Sequence, residues 1–138
     1  MDSPPTLNLK ARRVAETLIG AFPERRFAIE AVDGGHLEAS LEAPSGSRAG
    51  ALVVLTARDG DIWIRFALPH AFYAVDDECE LIRVVGALLG DDAFLAVTYE
   101  GADWAGTTLI PRGKLPRVER NQRAVMLSWS GKQDADTG

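Results

Sequence analysis

The clearest hydrophobic pattern in the chain covers residues 51–68, where two alternating apolar runs flank the dipeptide Asp59-Gly60. Asp-Gly between such runs predicts a β-hairpin with a two-residue turn, because a type I′ turn needs positive φ at both central positions. This turn would place Thr56 opposite Trp63 and Val54 opposite Arg65 on one face of the hairpin. The other face is predicted to be dry and carries Ala51, Val53, Leu55, Ala57, Ile62, Ile64, Phe66 and Leu68.

Two other segments show the apolar spacing of amphipathic helices. The first follows Asn8, a predicted N-cap, and stops at Pro23. The second follows the predicted N-cap Asp76 and ends at Gly90. The apolar stripe of the first helix consists of Ala11, Val14, Ala15, Leu18, Ile19 and Phe22. That of the second consists of Leu81, Ile82, Val84, Val85, Leu88 and Leu89.

Further strands are predicted where residues of high β-propensity alternate between turn signals. They cover residues 26–32, 36–42, 93–99, 107–110 and 123–129, with loops at 69–77 and 101–106. The order α-β-β-β-β-α-β-β-β, with short connections, predicts an α+β fold and a two-layer sandwich. We expect one antiparallel sheet of about six to seven strands with both helices on one face. Residues 1–130 form a single domain in this prediction, and residues 131–138 form a flexible tail.

Composition and charge narrow the range of functions. The net charge of −5 argues against nucleic acid as a partner and is compatible with basic protein partners. The single cysteine, Cys79, excludes an internal disulfide and is interpreted as a small apolar residue of the second helix. No signal peptide or membrane-spanning run is recognised, so we expect a cytoplasmic protein that does not associate with a membrane. No metal site and no cofactor is predicted.

No catalytic motif is present, and the one weak candidate is His70 in the loop at 69–77. As a general base it would be oriented by Asp76 or Asp77. The alternative is a loop histidine whose ring hydrogen-bonds the backbone or Asp76, because carboxylates are expected at a helix N-terminus in any case.

A basic segment follows the predicted sixth strand, within a proline- and glycine-containing stretch. It is either an anion-binding or acidic-partner patch or a solvated loop whose charges do not converge. Its members are Arg112, Lys114, Arg117, Arg120 and Arg123.

The tryptophans give the strongest indication of a binding surface. Trp63, Arg65 and Thr56 are predicted to share the outward face of the hairpin, while Trp104 lies in a loop and Trp129 near the end of the last strand. Tryptophan outside a main core often anchors an interface. The alternative is a second small apolar cluster that covers the sheet.

These observations favour a non-enzymatic module that binds another protein. The predicted element order resembles the α+β layout of small acidic secretion chaperones and related regulator domains, in which a third helix stands where this chain has a last strand. That resemblance implies recognition of another protein, and an immunity-type inhibitor belongs to the same class. The alternatives are a small enzyme that uses His70 and a structural homodimer formed across the exposed sheet face or an edge strand.

Overall fold

The computed structural model describes residues 6–58 and 60–137. Within these residues the chain forms two α-helices, one short 3-10 helix (Asp33–Gly35) and nine antiparallel strands, which confirms the predicted α+β class. The helices are α1 (Leu9–Ala21) and α2 (Glu78–Leu89). The strands are β1 (Ala28–Val32), β2 (His36–Glu42), β3 (Ala51–Thr56), β4 (Ile62–Phe66), β5 (Phe72–Val75), β6 (Ala93–Glu100), β7 (Asp103–Pro111), β8 (Gln122–Leu127) and β9 (Ala135–Thr137).

The strands divide between two sheets rather than forming the single sheet that was expected. Their orders are β1-β2-β3-β4-β5 and β7-β6-β8-β9. The segment 69–77, predicted to be a loop, contains β5, and the predicted flexible tail contains β9, which pairs with β8. Short strands of four and three residues give too little alternation to be distinguished from loops in the sequence.

Both helices carry the side-chain caps that their sequences favour. The Asn8 side chain accepts a hydrogen bond from the Ala11 amide at 2.8 Å, as predicted for α1. In α2 the cap is Asp77, which accepts from the Glu80 amide at 2.8 Å, so the assignment of the cap to Asp76 was wrong by one residue. The two aspartates are adjacent and chemically equivalent as caps, and only the backbone geometry distinguishes them.

The hairpin of β3 and β4 forms, but its register differs by one residue from the prediction. Asp59 lies outside the described residues, while the Ala57 amide donates to the Asp61 carbonyl at 2.9 Å, so three residues lie between this bonded pair instead of the two expected at the turn. Leu55 therefore pairs with Trp63 and Thr56 with Ile62. A one-residue slip exchanges the faces of a strand, so the predicted faces are correct for β4 and reversed for β3.

One hydrophobic core joins the two sheets and both helices. Leu18 of α1 and Leu88 of α2 are fully buried in it, together with Leu52 and Ile64 of the first sheet and Leu95 of the second. Because the helices pack on this inner side, the opposite face of the first sheet has no helix over it within the described residues. The candidate site lies at that uncovered face.

The connection between β7 and β8 crosses the second sheet. Both strands run antiparallel to β6 and therefore parallel to each other, so residues 112–121 must return along the length of β6. Pro116 in this connection is buried, and Phe94 and Met126 are buried outside the main core. We infer that the connection covers the outer face of the second sheet.

Candidate functional site

An apolar groove of about 270 Å³ lies on the outer face of the first sheet. Leu55, Trp63, Arg65 and Phe72 line it, and the rings of Trp63 and Phe72 meet edge to face with centroids 5.5 Å apart. The outward placement of Trp63 and Arg65 agrees with the sequence prediction. Leu55 was predicted to be on the dry face and reaches the groove because of the changed register of β3.

A tight turn before β5 brings His70 to the same surface. His70 has φ of 68°, a left-handed conformation that non-glycine residues seldom adopt. Its carbonyl accepts hydrogen bonds from the Phe72 amide at 3.0 Å and from the Thr107 hydroxyl of β7 at 2.6 Å. These bonds hold the turn beside β7 and thereby join the edges of the two sheets.

Trp104 lies on β7, next to this junction, rather than in a loop. Its ring stacks on His70 with centroids 5.0 Å apart and an interplanar angle of 10°, and it contacts Phe72 at 5.4 Å. The indole Nε1 donates to the Thr107 hydroxyl at 3.0 Å, so its one polar atom is satisfied. Nevertheless 41% of Trp104 is exposed, which leaves a large apolar surface open to a ligand.

The row of rings continues onto the second sheet through Tyr99. Tyr99 meets His70 edge to face at 6.4 Å, and the Arg123 guanidinium lies over the Tyr99 ring, 4.6 Å from its centroid. Successive ring contacts therefore connect the two sheets without interruption. We call this row, made of Trp63, Phe72, Trp104, His70 and Tyr99, the aromatic strip.

Two predicted binding residues are absent from the strip because they are buried. Thr56 is 6% exposed on the inner face, where its hydroxyl accepts a hydrogen bond from the Leu37 amide at 2.8 Å. Trp129 is 4% exposed and lies in the core, with its ring 6.5 Å from that of Phe66. Their predicted exposure was therefore wrong. The changed register of β3 turns Thr56 to the inner face. Trp129 follows the end of β8, and it packs in the same core as Leu127, the last residue of that strand.

The arrangement proposed for general base catalysis does not form in the structure. Within the described chain, the His70 ring contacts Trp104 and Tyr99 and makes no hydrogen bond to Asp76 or Asp77. Asp77 is the cap of α2, and the Asp76 amide donates to the Glu80 side chain at 3.2 Å. His70 thus serves as a surface ring of the strip.

The basic segment is extended, and its charges are spread along the sheet. Arg112 donates to the carbonyls of Asp91 and Gly90 at the end of α2, and its guanidinium is 3.5 Å from Asp92. Arg123 on β8 pairs with Tyr99 of β6. It therefore lies about 20 Å from Arg112, measured along β6. Lys114 and Arg117 are exposed in the connection between these ends.

A second groove of about 330 Å³ lies at the Tyr99 end of the strip. It is lined by Gly101, Arg120, Asn121, Gln122 and Arg123. Two of the five predicted basic residues therefore share one concave surface, while Arg112 serves as a helix cap at the far end of β6.

Phe72 and Tyr99 were not among the residues selected from the sequence. Phe72 begins a four-residue run of aromatic and aliphatic residues that is a weak strand signal, whereas nothing in the sequence indicates that Tyr99 meets His70. Cys79 is exposed in the first turn of α2. Among the described residues no His, Cys, Asp or Glu cluster is suited to hold a metal ion.

Neither helix of the described chain has the length and apolar character that crossing a membrane requires. Comparisons with protein-family models, with curated proteins and with solved structures find no match to this chain.

Proposed function

We propose that this protein is a non-enzymatic binding module that takes a segment of another protein along the aromatic strip. The observation that carries the proposal is the continuity of five rings across two sheets, with centroid distances between 5.0 and 6.4 Å. Interfaces are enriched in aromatic residues and arginine, which are the residues present here.

The shape of the strip favours an extended polypeptide as its occupant. The rings follow one another from the groove at Trp63 to Tyr99 in four successive contacts of roughly 5–6 Å. An extended chain rises about 3.3 Å per residue, so a segment of roughly six to eight residues would cover this path. Stacked, well-supported rings lose little conformational entropy on binding, which favours affinity.

Most rings of the strip lie outside the core: Tyr99 packs against it, whereas Trp63, Phe72 and Trp104 do not. Both helices pack on the inner side, where the fully buried residues of β3 and β4 already form a dry face. Trp104 keeps 41% of its surface exposed although its neighbours hold it in place. Rigid aromatic rings that remain accessible are typical anchors of binding surfaces.

The test compares Trp104→Ala with Ile19→Ala, which removes an exposed apolar side chain of α1 far along the chain from the strip. Both variants and the parent chain are immobilised, proteins of the native host are captured, and each retained protein is purified. Its affinity is then measured by calorimetry. We expect Trp104→Ala to weaken binding about tenfold or more, as for an interface anchor, and Ile19→Ala to leave it unchanged.

Three outcomes would contradict the proposal. The first is a purified partner that binds the parent and Trp104→Ala equally, which would place its site elsewhere. The second is capture of a nucleic acid instead of a protein. The third is a solution mass that doubles with concentration for the parent but not for Trp104→Ala, which would make the strip a self-association surface.

A further inference from the structure

The groove next to Tyr99 offers positive charge where the aromatic strip ends. Its lining contains two guanidinium groups, Arg120 and Arg123, and two side-chain amides, Asn121 and Gln122. No carboxylate lines it among the described residues. The Asn121 amide donates to the Glu100 side chain, so this neighbouring carboxylate already has a partner.

The two arginines of this groove differ from the arginines that form ion pairs. Arg13, Arg48, Arg65, Arg83 and Arg112 each have a carboxylate within 4.0 Å. Within the described chain, neither Arg120 nor Arg123 has such a partner. Arg123 instead rests on the Tyr99 ring, which shields one face of its guanidinium from water and leaves its N–H groups free to donate.

We infer that this groove binds a carboxylate of the partner, so that the occupant of the strip is an acidic segment carrying aromatic or large apolar side chains. The inference rests on the proposed function and specifies its ligand. A guanidinium fork matches a carboxylate with two parallel hydrogen bonds, and a second guanidinium adds charge. At the other end the groove at Trp63 has an apolar lining that suits a side chain such as Leu or Phe.

The protein therefore recognises two kinds of group at successive positions along the occupant. Its apolar side chains lie against Trp63, Phe72 and Trp104, and its carboxylate lies between Arg120 and Arg123. The net charge of −5 opposes a highly acidic partner at long range, so a local carboxylate beside apolar residues fits better than a polyanion. The carboxylate belongs either to an Asp or Glu side chain or to a chain terminus.

The first experiment is a selection from a displayed library of random peptides of roughly twelve residues, long enough to cover the strip. We expect the parent protein to enrich peptides with an acidic residue beyond an aromatic or large apolar one. The variant Arg120→Gln/Arg123→Gln should retain the apolar preference and lose the acidic one. Trp104→Ala should lose enrichment altogether.

The outcomes separate the two proposals. Enrichment that depends on Trp104 but shows no acidic preference overturns the carboxylate site and leaves the binding module intact. Enrichment that is indifferent to Trp104, or no enrichment by the parent, counts against the proposed function and against this inference with it.

The second experiment measures one selected peptide by fluorescence anisotropy. Replacing its acidic residue by the amide should weaken binding to the parent about tenfold, as should Arg123→Gln, because a charge-assisted hydrogen bond is lost. Combining the amide peptide with Arg123→Gln should weaken binding no more than either change alone. Arg117→Gln, in the connection that precedes β8 but outside the groove, is the matched control and should have no effect.

Two further arms complete the design. Amidation of the peptide's terminal carboxylate weakens binding if that group occupies the groove, and leaves it unchanged if an Asp or Glu side chain does. An equal loss for Arg117→Gln and Arg123→Gln would indicate general electrostatic attraction and would overturn the assignment of the groove. Circular dichroism of each variant verifies that it is folded.

Discussion

The two faces of the first sheet carry apolar residues for different reasons. On the inner face, Leu52 and Ile64 are fully buried against the helices. On the outer face, Leu55, Trp63 and Phe72 are half-buried, and no helix of the described chain lies over them. The inner face supplies the burial that stabilises the fold, whereas the outer face presents rings that remain partly open. Apolar content alone therefore does not distinguish the core face of the sheet from its open face.

Trp129 and Trp104 show the same contrast within one residue type. Trp129 is 4% exposed and is part of the core near Phe66. Trp104 is 41% exposed, and its indole N–H is already bonded to Thr107. The first ring is buried in the core, whereas the second keeps much of its surface open to solvent. Substitutions on the two faces of the sheet test this division.

Phe66→Ala should cost about 3–5 kcal/mol of unfolding free energy, because it leaves a cavity among side chains that cannot fully relax. Leu55→Ala is the matched control on the outer face, where it should cost about 1 kcal/mol or less. Urea denaturation followed by circular dichroism measures both changes. If Leu55→Ala lowered the unfolding free energy as much as Phe66→Ala, the result would support the alternative register in which Leu55 faces the core.

The sequence was sufficient for the elements whose periodicity is long. Four residues of the predicted α1 stripe are buried, whereas Ile19, also assigned to the stripe, is 50% exposed. The cap at Asn8 and the alternation in β2 and β4 occur as predicted. The register of β3 could not be predicted because the same Asp-Gly signal is compatible with turns of two and of three residues. One residue in the turn decides whether Leu55 or Thr56 faces the core.

The candidate site could be predicted only in part. Trp63 and Arg65 lie on β4, for which the inner and outer faces were predicted correctly. Their outward placement therefore followed from the alternation of apolar and polar residues. The meeting of His70 with Trp104 and Tyr99 depends on the packing of two sheets against each other, through residues far apart in the chain. Local patterns do not contain that information, and so the strip became visible only in the folded chain.

Thr56→Val tests the inner face through a hydrogen bond rather than a cavity. The change keeps the shape of the side chain but leaves the Leu37 amide without its acceptor in a buried environment. We expect a loss of about 1–3 kcal/mol in unfolding free energy. The same change at Thr108, exposed on β7, should stay within about 0.5 kcal/mol. If Thr56→Val were as mild as Thr108→Val, Thr56 would lie on the outer face.

Arg65→Ala should have the smallest effect on stability, because the ion pair that it breaks is open to solvent. Arg65 is paired with Glu38 at 3.9 Å, and 42% of its side chain is exposed, so water and salt screen the pair. We expect a change in unfolding free energy of about 0.5 kcal/mol or less, and the same for Glu38→Gln. When the denaturation of both variants is repeated at high salt, their unfolding free energies should equal that of the parent. A loss of several kcal/mol that persists in salt would mean that the outer face is a structural layer in its own right, and the distinction between the two faces would no longer hold.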